Sequence, residues 1–196
     1  MVRKSRSEDD EEARRSPSHR DFQPGAWLSG TGPDSDIAIC TRVRLARNLA
    51  GFPFAPSLDE TESERLYSFI TDRLAQPGLP VKLNVLDLEP VDELERSMLV
   101  ERHLISRELA SSTRHTGVAY DARESVAIMI NEEDHLRMLS IRPGLALKEA
   151  YDLVSAVDAQ LEGNLEFAFD HELGYLSACP TNLGTGMRAA AMLHLP

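Results

Sequence analysis

Arginine residues alternate with other side chains in the short segment Thr41-Arg42-Val43-Arg44. If this segment is a strand, Arg42 and Arg44 share one face, with Arg47 just beyond them. Two adjacent guanidinium groups repel each other unless an anion lies between them, and their planar forks match phosphate oxygens. The segment is therefore a candidate polyphosphate site. The alternative is a solvated strand face with scattered ion pairs.

A second candidate is the acidic run Asn131-Glu132-Glu133-Asp134, which directly follows the apolar residues 126–130. In a cleft, Glu133 could hold a cationic substrate or take a proton from it. The alternative for an isolated acidic triplet is a polar loop. Arg137, a candidate phosphate ligand a few residues further on, favours a site that binds a cation and an anion together.

The third candidate is a cysteine in a glycine-rich segment, residues 177–188, which contains Cys179 and Gly184-Thr185-Gly186. Nearby hydroxyl and N–H groups could stabilise a Cys179 thiolate, and glycines let the backbone approach a ligand closely. The segment is neither a Walker loop nor a dinucleotide fingerprint, since the lysine and the flanking spacing are missing. The other cysteine, Cys40, is interpreted as structural because free cysteine is usually buried.

Hydrophobic periodicity predicts the elements that position these residues. Helices are predicted after a capping box at Ser57-Leu58-Asp59-Glu60, from Pro90 through His103, and after Pro143-Gly144. Leu147, Ala150, Val154, Val157 and Leu161 form a core seam on the last helix. Strands are predicted at residues 37–44, 81–88, 126–130, 136–141, 175–178 and 188–194. Successive strands with a few helices between them indicate an α+β fold with a largely antiparallel sheet.

Composition limits the classes of protein. The 196 residues are 42% hydrophobic, which is enough for a core, and the net charge of −11 argues against nonspecific binding to nucleic acid or an anionic membrane. No apolar run reaches the roughly 20 residues that span a bilayer, and the two distant cysteines suit a reducing cytoplasm. The histidines lack paired ligand spacing, so no protein-only transition-metal site is predicted. Residues 1–24 are predicted to be a disordered charged tail, and residues 25–196 one domain.

Taken together, the three segments resemble the ATP:guanido phosphotransferase family, which includes arginine kinase, creatine kinase and the bacterial protein-arginine kinases. Residues 179–188 match the family's active-site signature, and residues 41–48 and 131–137 match two further segments. The resemblance runs from Trp27 to the last residue. It implies a glutamine-synthetase-like catalytic domain, in which helices flank a largely antiparallel sheet.

Within the family, the short polar region before Trp27 is more similar to the bacterial protein-arginine kinases than to the phosphagen kinases, which carry a helical domain there. The resemblance therefore implies a cytoplasmic enzyme that uses ATP and Mg²⁺ to phosphorylate arginine side chains in proteins. Its implied partners are arginine-containing protein substrates, an activator protein and, if the chain continues, a second copy in a homodimer. Nucleic acid and membrane are not expected partners.

The resemblance also assigns roles to residues. Glu133 would orient the guanidinium and act as base, with the Cys179 thiolate beside the same group. His103 would contact the base or ribose. The implied ATP site comprises Cys40, Thr41, Arg42, Val43, Arg44, His103, Arg137, Arg188, Ala189, Ala190, Ala191 and Met192. No protein side chain is identified as a metal ligand, because phosphate and water chiefly bind Mg²⁺.

Two features depart from the family pattern. Cys40 stands where a serine is common, although Thr41 keeps a hydroxyl, and the chain ends at Pro196 where relatives continue. The catalytic domain is therefore expected to be incomplete at its C-terminus. The alternatives are a kinase of a free guanidino compound such as arginine, a truncated inactive nucleotide-binding module, and a structural fragment without a ligand.

Overall fold

The computed structural model describes residues 25–195, and the predicted tail at residues 1–24 lies outside them. The strands are β1 (Ala38–Arg47), β2 (Leu83–Asp87), β3 (Gly117–Asp121), β4 (Val126–Ile130), β5 (Leu136–Pro143), β6 (Phe169–Asp170), β7 (Gly174–Tyr175) and β8 (Met187–Leu193). The α-helices are α1 (Glu60–Leu74), α2 (Glu93–Glu101), α3 (Arg107–Ala110) and α4 (Leu147–Glu162). Short 3₁₀ helices lie at Ala26–Leu28, Ala55–Ser57 and Pro180–Asn182.

Six strands form one antiparallel sheet in the order β2-β3-β4-β5-β1-β8, and β6 pairs with β7 separately. This arrangement confirms the α+β prediction. The predicted strand at residues 175–178 is shorter than expected, because only Gly174–Tyr175 pairs with β6. No helix within residues 25–195 has the length and apolar character needed to cross a bilayer.

The two faces of the sheet are covered differently. On one face, α1 and α4 bury a core that includes Leu66, Ile70 and four residues of the predicted α4 seam, Ala150, Val154, Val157 and Leu161. The prediction is wrong at Leu147, which lies in the first turn of α4 and is exposed. On the other face, α2 and α3 pack over β2, β3 and β4, around Leu99, Leu109 and Met129, and their core extends to Leu139 of β5. Trp27 packs against Cys40 and Ile141 of the next two strands. The rest of that face, along β1 and β8, is an open cleft floor.

Two helix termini differ from their predictions. The capping box of α1 is formed by Asp59 and Glu62, whose side chains each accept the other's backbone N–H. The predicted box two residues earlier is wrong because Ser57 belongs to the preceding 3₁₀ helix. The predicted end of the second helix is also wrong, because His103 lies beyond α2 in a left-handed conformation with φ 60°.

The turn at His103 is a Schellman motif. The His103 N–H donates to Val100 O at 2.9 Å, and the Leu104 N–H donates to Leu99 O at 3.0 Å. Glycine usually occupies this left-handed position, which is costly for a residue with a Cβ atom. The motif turns the chain sharply at the end of α2 and brings the imidazole to the edge of the open cleft.

Candidate active site

The arginines predicted to bind phosphate are brought together by strand register. On β1, Arg44 lies opposite Arg188 of β8, and Arg42 lies opposite Ala190. On the other side of β1, Arg137 of β5 lies opposite Ala46, on the same face. The backbone pairing of three adjacent strands therefore places four guanidinium groups on one open face.

These guanidinium groups repel one another. Burial, together with the charges of Arg137, Arg42 and Arg188, lowers the pKa of Arg44 to about 10, and Glu132 offsets only part of this. Burial is also the main cause that lowers the pKa of Arg42. Within residues 25–195, no ion pair engages either Arg42 or Arg44. The face is therefore set to gain free energy from a bound polyanion.

Beyond the arginines lies a cleft of about 240 Å³, lined by Cys40, Arg42, His103, Ile141, Ala190, Ala191 and Met192. Burial, and secondarily the charge of Arg42, lowers the pKa of His103, so its ring is neutral at pH 7. That ring contacts the Trp27 ring edge-on, with centroids 4.8 Å apart. A largely apolar cleft with a neutral imidazole suits a flat heteroaromatic group joined to a polyphosphate.

Four residues of the predicted ATP site have side chains on the other face of the sheet. The Thr41 hydroxyl donates to Gly144 O at 2.6 Å and accepts the Ala146 N–H at 3.1 Å. Val43 is part of the core beneath α4, and Ala189 and Ala191 are paired in the sheet with Val43 and Thr41, respectively. A ligand in the cleft could reach these four residues only through backbone atoms. Strand alternation is the physical reason.

Cys40 and Arg47 also have structural roles. Burial raises the pKa of the Cys40 thiol, although Arg42 opposes this, and the side chain packs with Trp27 and Ile141. Arg47 lies on the opposite face from Arg42 and Arg44, where its Nη2 pairs with Asp158 at 2.7 Å. It therefore does not extend the phosphate-binding face.

The acidic run forms the turn between β4 and β5. Arg137 and the Ser106 hydroxyl both donate to the Glu132 carboxylate, the latter at 2.5 Å. Burial opposes ionisation, but the hydrogen bond and charge of Arg137 outweigh it and lower the pKa of Glu132. Glu133 is exposed, and the Asn182 amide lies 3.4 Å from its Oε2 atom. Of the two glutamates, only Glu133 is available to a cationic ligand.

Cys179 is next to this turn in space. It precedes the Pro180–Asn182 3₁₀ helix, its Sγ lies 3.1 Å from Thr181 Oγ1, and its N–H donates to Ser177 Oγ at 3.2 Å. Ser177 and Asn182 both donate to the Asp134 carboxylate in the acidic turn. The structure therefore brings the predicted pair Glu133 and Cys179 to one side of the arginine face.

Sequence reasoning included the polar residues that join these segments in its candidate segments but assigned them no individual role; they are Asn48, Asp134, Ser177 and Asn182. All four lie within segments that matched the family pattern or directly beside them. The only signal in the sequence was their short polar side chains, which are typical of loops as well as of sites. Their partners are distant along the chain, so spacing could not identify the contacts.

A separate group of metal-ligating types lies elsewhere among the described residues. One ligand atom from each of Asp87, Glu89 and His115 lies within 4.8 Å of the other two. The His115 ring packs against Tyr67 of α1, the helix that covers the face opposite the arginines. This group is therefore not part of the arginine cleft.

The site is an arginine-lined face beside an exposed carboxylate and a cysteine, so it can bind a polyanion next to a cation. The model of the family "ATP:guanido phosphotransferase, C-terminal catalytic domain" matches residues 66–196. The chain belongs to the ATP:guanido phosphotransferase family. The resemblance given by the sequence motifs is thereby confirmed.

Relatives in the family are named protein-arginine kinase. Those of Moorella thermoacetica and Desulforamulus reducens are 47% and 46% identical over 173 residues. Each comparison covers 87% of this chain, but only 49% and 48% of the respective relative. The chain thus spans about half the length of the curated relatives it matches.

Solved structures support the fold. A duplicated taurocyamine kinase from Schistosoma mansoni, with bound transition state analog components, has a TM-score of 0.73 and 28% identity, covering 88% of this chain and 26% of that one. Lombricine kinase has a TM-score of 0.69 and 25% identity, covering 94% of this chain and 56% of that one. These similarities confirm the predicted guanidino-kinase fold.

Proposed function

We propose that this chain forms the nucleotide-binding face and part of the acceptor site of a kinase that transfers phosphate from ATP to arginine side chains in proteins. The observation that carries the proposal is four arginines on one sheet face, with exposed Glu133 and half-buried Cys179 beside it. The names of the relatives support the substrate class. On this proposal, residues 25–196 form the N-terminal portion of the catalytic domain.

The nucleotide would lie along β1. Its base would enter the cleft beside His103, and its phosphates would lie over Arg42, Arg44, Arg137 and Arg188. Phosphoryl transfer depends mainly on alignment and on neutralising phosphate charge. A face of guanidinium groups that already repel one another supplies that neutralisation when the anion binds.

Magnesium fits this site as a companion of the phosphates. The Glu132 carboxylate, which lies among the arginines, is already engaged by Arg137 and Ser106. The ion would therefore be held chiefly by phosphate oxygens and water, with no protein ligand required. When bound, it would neutralise charge on the transferring phosphate.

On the acceptor side, the Glu133 carboxylate would orient the target guanidinium and accept its proton. A guanidinium nitrogen would form a bond to the γ-phosphorus while the bond from that phosphorus to the oxygen of ADP breaks. Cys179, as thiolate, would stabilise the guanidinium electrostatically from the glycine-rich segment 177–188. General-base assistance of this kind contributes about 10²- to 10⁴-fold to a rate.

The remaining proposals concern the whole protein. We propose a cytoplasmic location, an activator protein and, for a chain that continues beyond Pro196, a homodimer. These follow from the family resemblance. The two free cysteines, Cys40 and Cys179, suit a reducing compartment.

The test is transfer from labelled Mg·ATP to an arginine-rich protein, with free arginine assayed in parallel. Acid-labile label on the protein supports the proposal, because a phosphoramidate bond is labile in acid and a phosphate ester is not. Glu133→Gln should lower transfer by about 10²- to 10⁴-fold. Glu64→Gln, an exposed carboxylate on α1, is the matched control and should leave transfer unchanged.

Other outcomes distinguish the alternatives. Label on free arginine alone would contradict the protein substrate and indicate a kinase of a free guanidino compound. Saturable ADP binding without any transfer would contradict the enzyme assignment for this chain and indicate a nucleotide-binding module. Absence of saturable nucleotide binding would leave only a structural fragment.

A further inference from the structure

We propose that Asp134 is the positioning residue that holds the Glu133 turn and the Cys179 segment in one fixed arrangement. This inference rests on the proposed function, because it concerns the same acceptor site. Asp134 is only 2% exposed, and its carboxylate is surrounded by hydrogen-bond donors. The donors are Asn48 Nδ2 at 2.6 Å, Ser177 Oγ at 2.8 Å, the Ala178 N–H at 3.1 Å and Asn182 Nδ2 at 3.1 Å.

Glu133 and Cys179 are each linked to the Asp134 carboxylate through no more than one intervening residue. Glu133 is its neighbour in the chain, and the Asn182 amide lies between the two acids, 3.4 Å from Glu133 Oε2 and 3.1 Å from Asp134 Oδ2. On the other segment, the Cys179 N–H donates to Ser177 Oγ, which in turn donates to Asp134. The positions of Glu133 and Cys179 therefore depend on the same buried anion.

Asn48 completes the arrangement from the end of β1. Its Nδ2 also donates to Leu176 O at 3.0 Å, and its Oδ1 accepts the His135 N–H at 3.0 Å. One amide thus contacts the Cys179 segment, the acidic turn and Asp134. None of the residues that donate to Asp134 lines the cleft beside His103.

The chemistry of the site requires an anion at this position. An ionised carboxylate only accepts hydrogen bonds, and all its neighbours here are donors. In Asp134→Asn, one oxygen becomes an NH₂ group that faces other donors, so at least one contact is lost. Misplacement of reacting groups by about 1 Å can cost about 10²-fold in rate. We therefore expect Asp134→Asn to lower transfer about 100-fold while ADP affinity is kept.

Asp121→Asn is the matched control. Asp121 is also a buried carboxylate, 5% exposed, and it accepts the Ser125 N–H, the Ser125 hydroxyl and the Val126 N–H in the turn between β3 and β4. Its loss should destabilise the fold by the same kind of mechanism. It should not alter the acceptor site.

The experiment measures three quantities in the full chain: the pH dependence of iodoacetamide alkylation at Cys179, ADP affinity, and transfer to arginine. Asp134→Asn and Ser177→Ala should shift the alkylation profile and reduce transfer, with ADP affinity unchanged. Ser177→Thr should restore the wild-type profile because it keeps the hydroxyl. Asp121→Asn should leave all three quantities unchanged at temperatures where it is folded.

An unaltered Cys179 profile and unaltered transfer in both Asp134→Asn and Ser177→Ala would overturn the inference. Equal losses in Asp121→Asn would also overturn it, because they would show a general effect of destabilisation. If Asp134→Asn does not fold, the Ser177 pair decides the result. If the wild-type chain transfers nothing to arginine, a shifted profile in the two variants would support the positioning role and contradict the proposed function.

Discussion

The proposed nucleotide-binding face and the proposed acceptor site are built by different means. On the nucleotide-binding face, Arg42, Arg44 and Arg188 are placed by the backbone register of adjacent strands. At the acceptor site, Glu133 and Cys179 lie on loops that are joined by side-chain hydrogen bonds. Backbone register tolerates substitution of side chains, whereas a side-chain network depends on every member. The two regions should therefore respond differently to mutation.

Their charges are also arranged differently. Arg44 faces other cations, which together with burial depress its pKa to about 10. Asp134 and Glu132 at the acceptor site are already satisfied by donors, which leaves Glu133 exposed. The nucleotide-binding face thus carries several charges that await an anion, and the acceptor site offers a single carboxylate. Binding energy should be spread over the first region and concentrated in the second.

Arg44→Ala should give the largest effect that separates the two regions. A hydrogen bond to a charged group contributes about 1.5–3 kcal/mol, so ADP affinity should fall about tenfold to 150-fold. Calorimetric titration with ADP measures this. Alkylation of Cys179 should be unchanged, because no residue of the acceptor network changes.

Arg73→Ala is the control for that substitution, since Arg73 lies half-buried near the end of α1, the helix that covers the opposite face of the sheet. It should bind ADP as the wild type does. Wild-type ADP affinity in Arg44→Ala would show that phosphate does not lie over β1. It would remove the distinction drawn between the two regions.

Thr41→Val should have a smaller effect, and on stability rather than binding. The substitution keeps the shape of the side chain but removes the buried hydroxyl that contacts Gly144 O and the Ala146 N–H. Leaving such groups unsatisfied costs about 1–3 kcal/mol of unfolding free energy. Urea denaturation measures the loss, and ADP affinity should stay within about twofold of the wild type.

Thr31→Val is the comparison variant, because the Thr31 hydroxyl contacts only exposed Ser29 Oγ at 2.8 Å. Its unfolding free energy should be nearly that of the wild type. Weaker ADP binding in Thr41→Val, with stability intact, would contradict the placement of this side chain on the core face.

The same contrast explains which features the sequence could predict. Alternation of side chains along a strand correctly placed Arg42 and Arg44 on one face, since the period of two is a backbone property. The α4 seam was predicted for an equally local reason, the spacing of its apolar residues. Arg47 could be placed only in part. It lies three residues after Arg44, so strand alternation puts it on the opposite face, but its ion-pair partner Asp158 is 111 residues away in the sequence.

Long-range contacts account for the rest. The four donors to Asp134 come from residues 43 to 86 positions distant in sequence, so no local pattern records them. The Schellman turn at His103 lacks the glycine that would have signalled it. The family resemblance predicted Glu133 and Cys179 as catalytic residues, but the hydrogen bonds that link their segments are visible only in the folded structure.

The smallest predicted effect concerns pH and His135, which is fully buried beside the acidic turn. Its Nδ1 accepts the Leu49 N–H at 3.0 Å, so the proton is on Nε2, 2.7 Å from Pro53 O. Burial lowers the pKa of His135, and Arg114 adds to this, while the Pro53 contact and Asp134 oppose it. The folded state therefore holds a neutral imidazole that the unfolded chain protonates more readily.

The unfolded chain binds the His135 proton near pH 6.5, so the contribution of His135 to the unfolding free energy should be constant above that pH. That contribution should decline as the pH falls below 6.5, by at most about 1.4 kcal/mol per pH unit. His103 also has a lowered pKa and contributes a decline of the same sign. The contribution of His135 is the difference between the wild type and His135→Gln.

Urea denaturation at pH 7.5 and pH 5.5 gives that difference. His135→Gln should lose less stability between the two pH values than the wild type does, and exposed His171→Gln should follow the wild type. Parallel losses in wild type and His135→Gln would contradict a lowered pKa of His135 in the folded state. The backbone N–H of His135 also donates to Asn48 Oδ1, and the same Asn48 amide binds Asp134. Protonation of His135 in acid should therefore also weaken the hydrogen bonds around Asp134.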